Sequence, residues 1–406
     1  MTVLMCNKYY FVKGGAERYL FELSRILEAR GHRVVPFAMQ HERNEPSPFS
    51  DAFVSHEGFD GRDGLGRRLR AAARVVYCAE ARRRIEALVG RARPDVAHAH
   101  NIAHQLSPSI LYGLAARGVP VVQTLHDYKL VCPNYAMFVN GENCERCATW
   151  RYWNACVRRC MRGEAAASAL VCVEAYLHRL LGSYARNVAL FIAPSRSLRD
   201  RVVAHGVDPK KVVHLPYAIE LSGYRPRYGD DGYAVFVGRL STGKGVATLL
   251  RAAALARDVR LRVVGTGPLL PELESLKERE GLSNVEFVGY HTGEDLKDLV
   301  AGSAFVVVPS ECHENSPLTV YEAFALGKPV VGSDAGGIPE LVSDGEAGLL
   351  FPAGDREALA DRMRVLWADR PRAAEMGRRA RARVEREYSP ERHYDAIMGI
   401  YARVVH

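Results

Sequence analysis

Residues 233–245 read YAVFVGRLSTGKG, a short apolar run that ends in a glycine-rich loop. Similar runs recur along nearly the whole chain with helical patterns between them, among them VVPF, VVQTL, FIAPS, LRVVGTG, AFVVVPS and KPVVGSD. Runs that are apolar throughout are typical of strands buried on both faces, and intervening helices indicate parallel sheets in an α/β protein. Because glycines cluster just after the runs, permissive backbone falls at the carboxyl ends of strands, where open α/β sheets bind ligands.

The domain organisation follows from a break between residues 215 and 233, where HLPYAIELSGYRPRYGDDGY shows no periodicity and is rich in proline, glycine and tyrosine. This composition is typical of an interdomain linker. We expect a first domain over residues 1–215 and a second over 216–388. A C-terminal helix over 389–406, capped by Ser389 with Pro390 next, should pack back on the first domain. Residues 131–163 interrupt the first domain and hold five of the nine cysteines.

Composition excludes several classes of protein. Of the 406 residues, 48% are hydrophobic and 25% are charged, which excludes a disordered, collagenous or coiled-coil chain. Nine cysteines are too few for a disulfide-stapled scaffold, and the N-terminus MTVLMCNKYY is not a signal peptide. No window approaches the length of apolar sequence that spans a membrane. We therefore expect a cytoplasmic protein that is not integral to a membrane.

Basic residues exceed acidic ones and give a net charge of +8, with arginines clustered from Arg62 to Arg93. On a helix this segment would form a basic amphipathic surface that could meet anionic lipid or a phosphorylated substrate. The alternative is a solvated helix face. The first interpretation places the protein at the inner face of the membrane as a peripheral enzyme.

The segment GRLSTGKG, residues 238–245, nearly satisfies the P-loop pattern, but Gly245 stands where the pattern needs serine or threonine. A P-loop enzyme needs that hydroxyl on its magnesium ion, so an NTPase is disfavoured. Arg239 at a strand end and Lys244 in a glycine loop are still suited to a diphosphate. The alternative is that both face solvent only.

A second motif, PSECHENSPLTVYEAFALGKP, follows the apolar strand AFVVV. Ser316 predicts an N-cap and Pro317 the first residue of a helix that runs to Leu326. The free amides and positive dipole end of this helix would form an anion site at the sheet's edge. Glu314 lies in the loop before the helix and Glu322 inside it, so they can bind different parts of one ligand.

Gly14 and Gly15 directly precede an amphipathic helix near the N-terminus, another glycine turn that opens a helix toward a sheet edge. The alternative is that the two glycines only allow the backbone to form a tight turn.

Histidines follow two strands of the first domain. His126 comes after VVQTL and is followed by Asp127, which places it at a strand's carboxyl end. His98, His100 and His104 lack the further ligands of a hydrolase metal site, and we favour packing or substrate contact for them. No D-x-D occurs, so a donor held through a carboxylate-bound metal is disfavoured.

The cysteines of the insertion have the spacing C-x11-C-x2-C-x8-C-x3-C. Four soft ligands satisfy tetrahedral zinc, and Cys132, Cys144, Cys147 and Cys160 predict one structural zinc site. The alternative is a set of free thiols packed in a loop.

Together, GGAER at 14–18, HD at 126–127, GRLSTGKG, GTGP at 265–268, Glu314 with Glu322, and SDAGGIPELV at 333–342 closely resemble glycosyltransferase family 4. The resemblance covers essentially the whole chain. It implies a retaining nucleotide-sugar glycosyltransferase of GT-B architecture, with two facing Rossmann-like doubly wound domains and an interdomain cleft. The sequence departs from the commonest pattern in ENSP after the first glutamate, and its cysteine insertion looks like that of a bacterial subgroup.

The resemblance also implies roles for individual residues. The donor diphosphate would contact Arg239, Lys244, the helix start at Ser316, Leu318 and Thr319, and the loop at Gly14 and Gly15. Glu322 would bind the ribose hydroxyls, Glu314 the donor sugar, and backbone near Tyr290 the base. His126 would lie near the sugar and the acceptor, with His100 on the acceptor side.

The predicted function is transfer of a sugar from a nucleotide-diphosphate sugar, UDP-sugar favoured over GDP-sugar, to a hydroxyl acceptor in polysaccharide, glycolipid or natural-product glycoside biosynthesis. No cofactor is expected for catalysis and no nucleic acid as partner. Two alternatives stay open. One is a sugar-nucleotide epimerase or hydrolase of the same architecture, and the other is a non-catalytic protein that binds RNA or lipid.

Overall fold

The structure, a computed structural model, describes residues 1–56 and 65–405. These residues form two compact units. The first comprises Met1–Met137, Glu145–Pro216 and His393–His406, and the second comprises Phe138–Cys144 and Tyr217–Arg392. Each unit contains one parallel sheet with helices, which confirms the predicted α/β class with two parallel-sheet domains.

The strands of the first half of the chain are β1 Thr2–Cys6, β2 Arg33–Phe37, β3 Val96–Ala99, β4 Val121–Thr124, β5 Phe138–Val139, β6 Glu142–Asn143, β7 Leu190–Ala193 and β8 Val212–His214. Within the described residues, six of them form a parallel sheet in the order β2-β1-β3-β4-β7-β8. The direction of winding reverses between β1 and β3. Strands β5 and β6 form a separate antiparallel hairpin that belongs to the second unit.

The helices of the first half are α1 Gly15–Glu28, α2 Leu65–Val76, α3 Ala79–Ala92, α4 Ser109–Ala116, α5 Asn154–Val157, α6 Ala165–Leu180, α7 Ser183–Asn187 and α8 Arg196–Ala204. Short 3-10 turns lie at Ser50–Ala52, Ala148–Trp150 and Pro209–Lys211. The arginine segment therefore contains two helices rather than the one we expected. The break falls at Cys78, whose Sγ accepts from the amide of Ala81 and so caps α3.

The strands of the second unit are β9 Ala234–Val237, β10 Leu261–Val264, β11 Val285–Gly289, β12 Val306–Val308, β13 Val330–Ser333 and β14 Gly348–Phe351. The remaining helices are α9 Val246–Leu255, α10 Leu270–Arg279, α11 Gly293–Ala301, α12 Leu318–Ala325, α13 Ile338–Val342, α14 Arg356–Ala368, α15 Arg370–Glu387 and α16 Pro390–Ala402. The sheet order is β11-β10-β9-β12-β13-β14, the doubly wound order of dinucleotide-binding domains. Its switch point lies between β9 and β12.

The cores explain why these runs become strands. Phe236, Val263 and Val307 of the second sheet are buried, as are Leu4 and Phe191 of the first. Removal of such side chains from water on both faces of a sheet is the main stabilising contribution to each unit. Arg239, Gly243 and Lys244 lie outside these cores, in the loop at the carboxyl end of β9.

Helix α16 contributes polar side chains to the first unit. The hydroxyl of Tyr401 lies 2.7 Å from Nδ1 of His98, and Nε2 of His393 lies 3.0 Å from the hydroxyl of Tyr19. In residues 1–56 and 65–405 we find no helix with the length and apolar character that a bilayer crossing requires.

Candidate functional site

Glycines allow the loops at the switch point of the second sheet to pack backbone against backbone. Gly245 has φ +68°, and a Cβ there would lie 1.8 Å from the carbonyl oxygen of Pro309. Gly265 has φ +135°, and its Cβ would lie 1.9 Å from the carbonyl oxygen of Gly238. No side chain fits at either position, and the left-handed φ at Gly245 also favours glycine. The loop after β9 is therefore held directly against the loop after β12.

This packing brings Lys244 and Glu314 together as an ion pair at the switch point. Ser310 Oγ also donates to Glu314 Oε1 at 2.9 Å. The side chain of Lys244 is 35% exposed and that of Glu314 is 14% exposed. Burial disfavours both charges, but each partner outweighs it, so the pKa of Lys244 is raised and that of Glu314 is lowered. Both groups are charged at neutral pH.

Arg239 lies just beyond the end of β9. Its side chain is exposed and forms no ion pair or hydrogen bond with any residue that the structure describes. A guanidinium at a strand's carboxyl end, free of a protein carboxylate, is able to take a bidentate oxyanion ligand.

Helix α12 begins at the same switch point, one residue later than expected. Pro317 is the N-cap and Leu318 the first helical residue. The predicted Ser316 cap is wrong, because Ser316 is buried and its hydroxyl lies 2.8 Å from that of Tyr321 instead. The first amides of a helix have no intrahelical acceptor, so those of Leu318 and Thr319 remain suited to an anion.

Two further predicted residues lie in the same unit. Glu322 sits one turn into α12, where Tyr224 donates to its Oε1 at 3.4 Å. Tyr290 follows β11 with 73% of its surface exposed.

The hairpin of β5 and β6 is a component of this site that the sequence analysis missed. Asn143 Nδ2 donates to the carbonyl oxygen of Glu311 at 2.8 Å. A Cβ on Gly243 would lie 3.3 Å from the ring of Phe138. The hairpin thus contacts both the glycine loop and the loop before α12. No sequence signal indicates this, because the contacts join segments more than a hundred residues apart.

Three histidines of the first unit lie near the carboxyl ends of β3 and β4: His98, His100 and His126. Nδ1 of His100 lies 3.0 Å from Nε2 of His126, and the two rings stack. His98 lies between the hydroxyls of Thr124 and Tyr401, each at 2.7 Å. Burial lowers the pKa of His98 and of His126 to about 3, so both are neutral at pH 7. Nε2 of His100 is buried and has no hydrogen-bond partner among the described residues.

The glycine pair of the first unit precedes α1 as expected. Gly14 is its N-cap and Gly15 its first residue, and both are exposed. Beneath them Glu17 is buried and accepts from Asn7 Nδ2 at 3.3 Å. Asn7 also accepts from the amide of Asn101 at 3.0 Å, which joins the ends of β1 and β3. Glu17 belongs to the GGAER motif quoted above, whereas no sequence pattern predicted a role for Asn7.

Two family models match consecutive parts of the chain. Residues 13–222 match the model described as Glycosyltransferase Family 4, and residues 222–383 match Glycosyl transferases group 1. The first alone covers just over half of the chain. The chain belongs to glycosyltransferase family 4.

Curated relatives of this family 4 chain match it over part of their length. D-rhamnosyltransferase WbpZ of Pseudomonas aeruginosa is 34% identical over 187 residues, which are 46% of this chain and 48% of the relative. Alpha-D-kanosaminyltransferase of Streptomyces kanamyceticus is 29% identical over 187 residues, 44% of this chain and 48% of the relative. The chain spans about half the length of these relatives.

Solved structures match the family 4 chain over nearly its whole length. Anabaena HepE in complex with UDP and glucose has a TM-score of 0.71 at 18% identity and covers 99% of this chain and 100% of its own. Sucrose-phosphate synthase of Thermosynechococcus elongatus has a TM-score of 0.73 at 20% identity, with 99% and 98% covered. These likenesses confirm the predicted GT-B fold.

The structural zinc predicted at Cys132, Cys144, Cys147 and Cys160 of the family 4 chain stays a prediction. In the described part of the chain, no group of three or more His, Cys, Asp or Glu side chains is placed to hold a metal ion. Cys144 belongs to the second unit, whereas Cys132, Cys147 and Cys160 belong to the first. Sγ of Cys132 donates a hydrogen bond to Oδ1 of Asn134 at 2.9 Å, and Cys147 packs in a small apolar cluster with Tyr152 and Cys172. Spacing alone cannot distinguish such packing from coordination.

The arginine segment is more neutralised than the sequence indicated. Arg82 pairs with Glu86 at 2.8 Å and Arg91 with Asp51 at 2.6 Å. Arg74 and Arg84 both pair with Glu80, at 3.1 and 2.8 Å. Arg62 lies outside the described residues. Asp51, about 40 residues before Arg91, folds back onto α3 and adds one acid to Glu80 and Glu86 of the segment.

Proposed function

We propose that the chain is a retaining glycosyltransferase that moves a sugar from a nucleotide-diphosphate sugar, with UDP as the favoured nucleotide, to a hydroxyl acceptor. The observation that carries the proposal is a group of anion-binding elements at one switch point. They are Arg239, which has no ion-pair partner among the described residues, Lys244, which is paired with Glu314, and the first amides of α12. The HepE structure with UDP supports the choice of nucleotide. Polysaccharide, glycolipid or natural-product glycoside synthesis would use such a reaction.

In this proposal Arg239 binds the donor diphosphate bidentately, and Lys244 contacts it as a point charge. Cleavage of the sugar–phosphate bond builds negative charge on the leaving diphosphate. Fixed cations stabilise that charge more in the transition state than in the ground state, which is the requirement for catalysis. Glu322 takes the ribose hydroxyls and Glu314 the hydroxyls of the donor sugar, and backbone near Tyr290 holds the base.

The bond changes need no protein nucleophile. The acceptor oxygen bonds to the anomeric carbon on the face that the diphosphate leaves, so configuration is retained. The bond from that carbon to the phosphate oxygen breaks, and this oxygen takes the acceptor's proton. The chemistry requires no catalytic cofactor. In this proposal neutral His126 lies near the sugar and the acceptor, with His100 beside it on the acceptor side.

A screen of nucleotides and nucleotide-sugars for thermal stabilisation tests the proposal first. A ligand at 100 times its Kd stabilises the native state by about 2.7 kcal/mol. UDP and a UDP-sugar should raise the melting temperature, and GDP should do so less. A chain that none of them stabilises would contradict the proposal.

Turnover of the stabilising sugar nucleotide then distinguishes the reaction classes. Transfer should depend on an added acceptor and yield a product with the donor's anomeric configuration, read from NMR coupling constants. Turnover that is just as fast without any acceptor would favour an epimerase or hydrolase. Binding without turnover across acceptors would favour a non-catalytic protein.

A further inference from the structure

Cations and aromatic rings alternate in the segment after β1, where the sequence reads KYYFVK from Lys8 to Lys13. The Nζ atom of Lys13 lies 4.2 Å from the centroid of the Tyr9 ring and donates to the Tyr9 hydroxyl at 2.9 Å. The Nζ atom of Lys8 lies 5.0 Å from the same centroid. The guanidinium of Arg43 lies 4.6 Å from the ring of Phe11. We call these five residues the KYF patch.

Backbone hydrogen bonds fix the patch to the sheet. The amide of Met39 donates to the carbonyl of Lys8 at 3.2 Å, and the amide of Glu45 donates to that of Tyr10 at 2.8 Å. The amide of Lys8 donates to the carbonyl of Asn101 at 2.9 Å. Because Asn101 follows His100, the patch adjoins the histidines of the first unit's switch point.

The cations of the patch lack the acids that neutralise other basic residues of this unit. Within residues 1–56 and 65–405, Lys8, Lys13 and Arg43 form no ion pair with a carboxylate. Glu42 and Glu45 flank Arg43 in the sequence, yet neither pairs with it. By contrast, four arginines on α2 and α3 each form an ion pair with a carboxylate: Arg74, Arg82, Arg84 and Arg91.

We propose that the KYF patch binds the phosphate of a phosphorylated acceptor. The inference rests on the proposed function and names the acceptor class for it. Two lysines supply point charges, and Arg43 supplies a planar fork that matches phosphate oxygens. Tyr9, partly exposed between the lysines, holds both ammonium groups over its ring. The proposal thus places an anion-binding surface of this unit on the segment after β1.

Equilibrium binding of glucose 6-phosphate and of glucose tests the proposal, with the two probes compared by NMR titration at low salt. The full chain carries Arg239→Ala and Lys244→Ala, so phosphate binding at the second unit's cations does not contribute. In this background, Lys13→Gln with Arg43→Gln is compared with the control Arg117→Gln with Lys210→Gln, which removes the same charge from exposed positions elsewhere in the unit.

The background protein should bind glucose 6-phosphate more tightly than glucose, and the patch variant should bind it at least about 10-fold more weakly, the usual effect of losing a charge-assisted contact. The control should bind as the background does. Equal binding of the two sugars, or equal losses in patch variant and control, would overturn the proposal unless anionic vesicles capture the chain through the patch.

A second arm identifies the source of the phosphate. Vesicles of phosphatidylcholine with phosphatidic acid should capture the chain through the patch if the acceptor phosphate is carried by a lipid, and glucose 6-phosphate should bind if the acceptor is soluble. Patch-dependent binding in either arm supports the proposal, and its absence from both overturns it. UDP binding to the wild-type chain is measured separately and depends on the second unit, so failure of the proposed function is distinguishable.

Discussion

Replacement of Lys244 by methionine should lower turnover sharply and change the pH dependence of stability. Methionine keeps a long unbranched side chain but removes the charge from the ion pair with Glu314. Loss of one group that stabilises developing charge costs about 10² to 10³ in kcat. Breaking a fully buried pair costs about 3–5 kcal/mol. The Lys244 side chain is 35% exposed, so solvent screens part of the attraction between the two charges. We therefore expect Lys244→Met to lower the free energy of unfolding by about 2 kcal/mol.

The sign of the pH effect follows from Glu314. Burial opposes its ionisation, but Lys244 and Ser310 together outweigh burial and lower its pKa below the usual 4.5. The wild-type carboxylate therefore stabilises the fold above about pH 4.5, and this contribution is lost as pH falls through the lowered pKa. In Lys244→Met, burial still disfavours the Glu314 carboxylate, and only the hydrogen bond from Ser310 opposes the effect of burial. The pKa of Glu314 should therefore rise. The variant should then lose stability relative to wild type as pH increases above about 4.5.

Denaturant unfolding between pH 4 and 8, together with turnover of the donor, measures both effects. Lys277→Met on α10 is the matched control, because the structure gives Lys277 no carboxylate partner among the described residues. A folded Lys244→Met variant with normal turnover would refute the charge-stabilising role. A difference in stability that does not vary with pH would refute the coupling to Glu314.

Two further pairs of substitutions test a close backbone approach and a buried ion pair. Gly245→Ala should destabilise the chain by about 2 kcal/mol and weaken UDP binding, because its Cβ would meet the Pro309 carbonyl at 1.8 Å. Gly354→Ala, with a similar φ but open space, should cost only about 1 kcal/mol, and equal losses would contradict the close-approach argument. Lys129→Met should cost about 3–5 kcal/mol, since it leaves the Glu174 carboxylate, 1% exposed, without its cation. Adding Glu174→Gln should restore part of this stability; no rescue would mean that Lys129 acts through packing alone.

Local sequence patterns predicted the fold because most strands of the two parallel sheets are apolar runs, and the loops after β9 and β10 begin with Gly238 and Gly265. The run AVFV became β9, and the glycine loop after it holds Lys244 at the switch point, where doubly wound sheets bind ligands. The predicted residues Glu314, Glu322, Leu318 and Arg239 lie in this same unit because the two motifs follow adjacent strands.

Contacts between distant segments could not be predicted in this way. Ser316 satisfies the rule for an N-cap, yet tertiary packing buries it against Tyr321. The hydroxyl of Tyr401 meets His98 across 303 residues of sequence, and no periodicity encodes such a pair. The cysteine spacing suits both a zinc site and a set of packed thiols, and spacing alone does not distinguish the two.

The central claim is that the exposed guanidinium of Arg239 holds the diphosphate of the donor nucleotide at the second unit's switch point. Calorimetric titration of UDP into wild type, Arg239→Ala and the exposed control Arg251→Ala tests it most directly. We expect wild type and the control to bind UDP with the same Kd, and Arg239→Ala to bind at least about 10-fold more weakly. An unchanged Kd in folded Arg239→Ala would contradict the account.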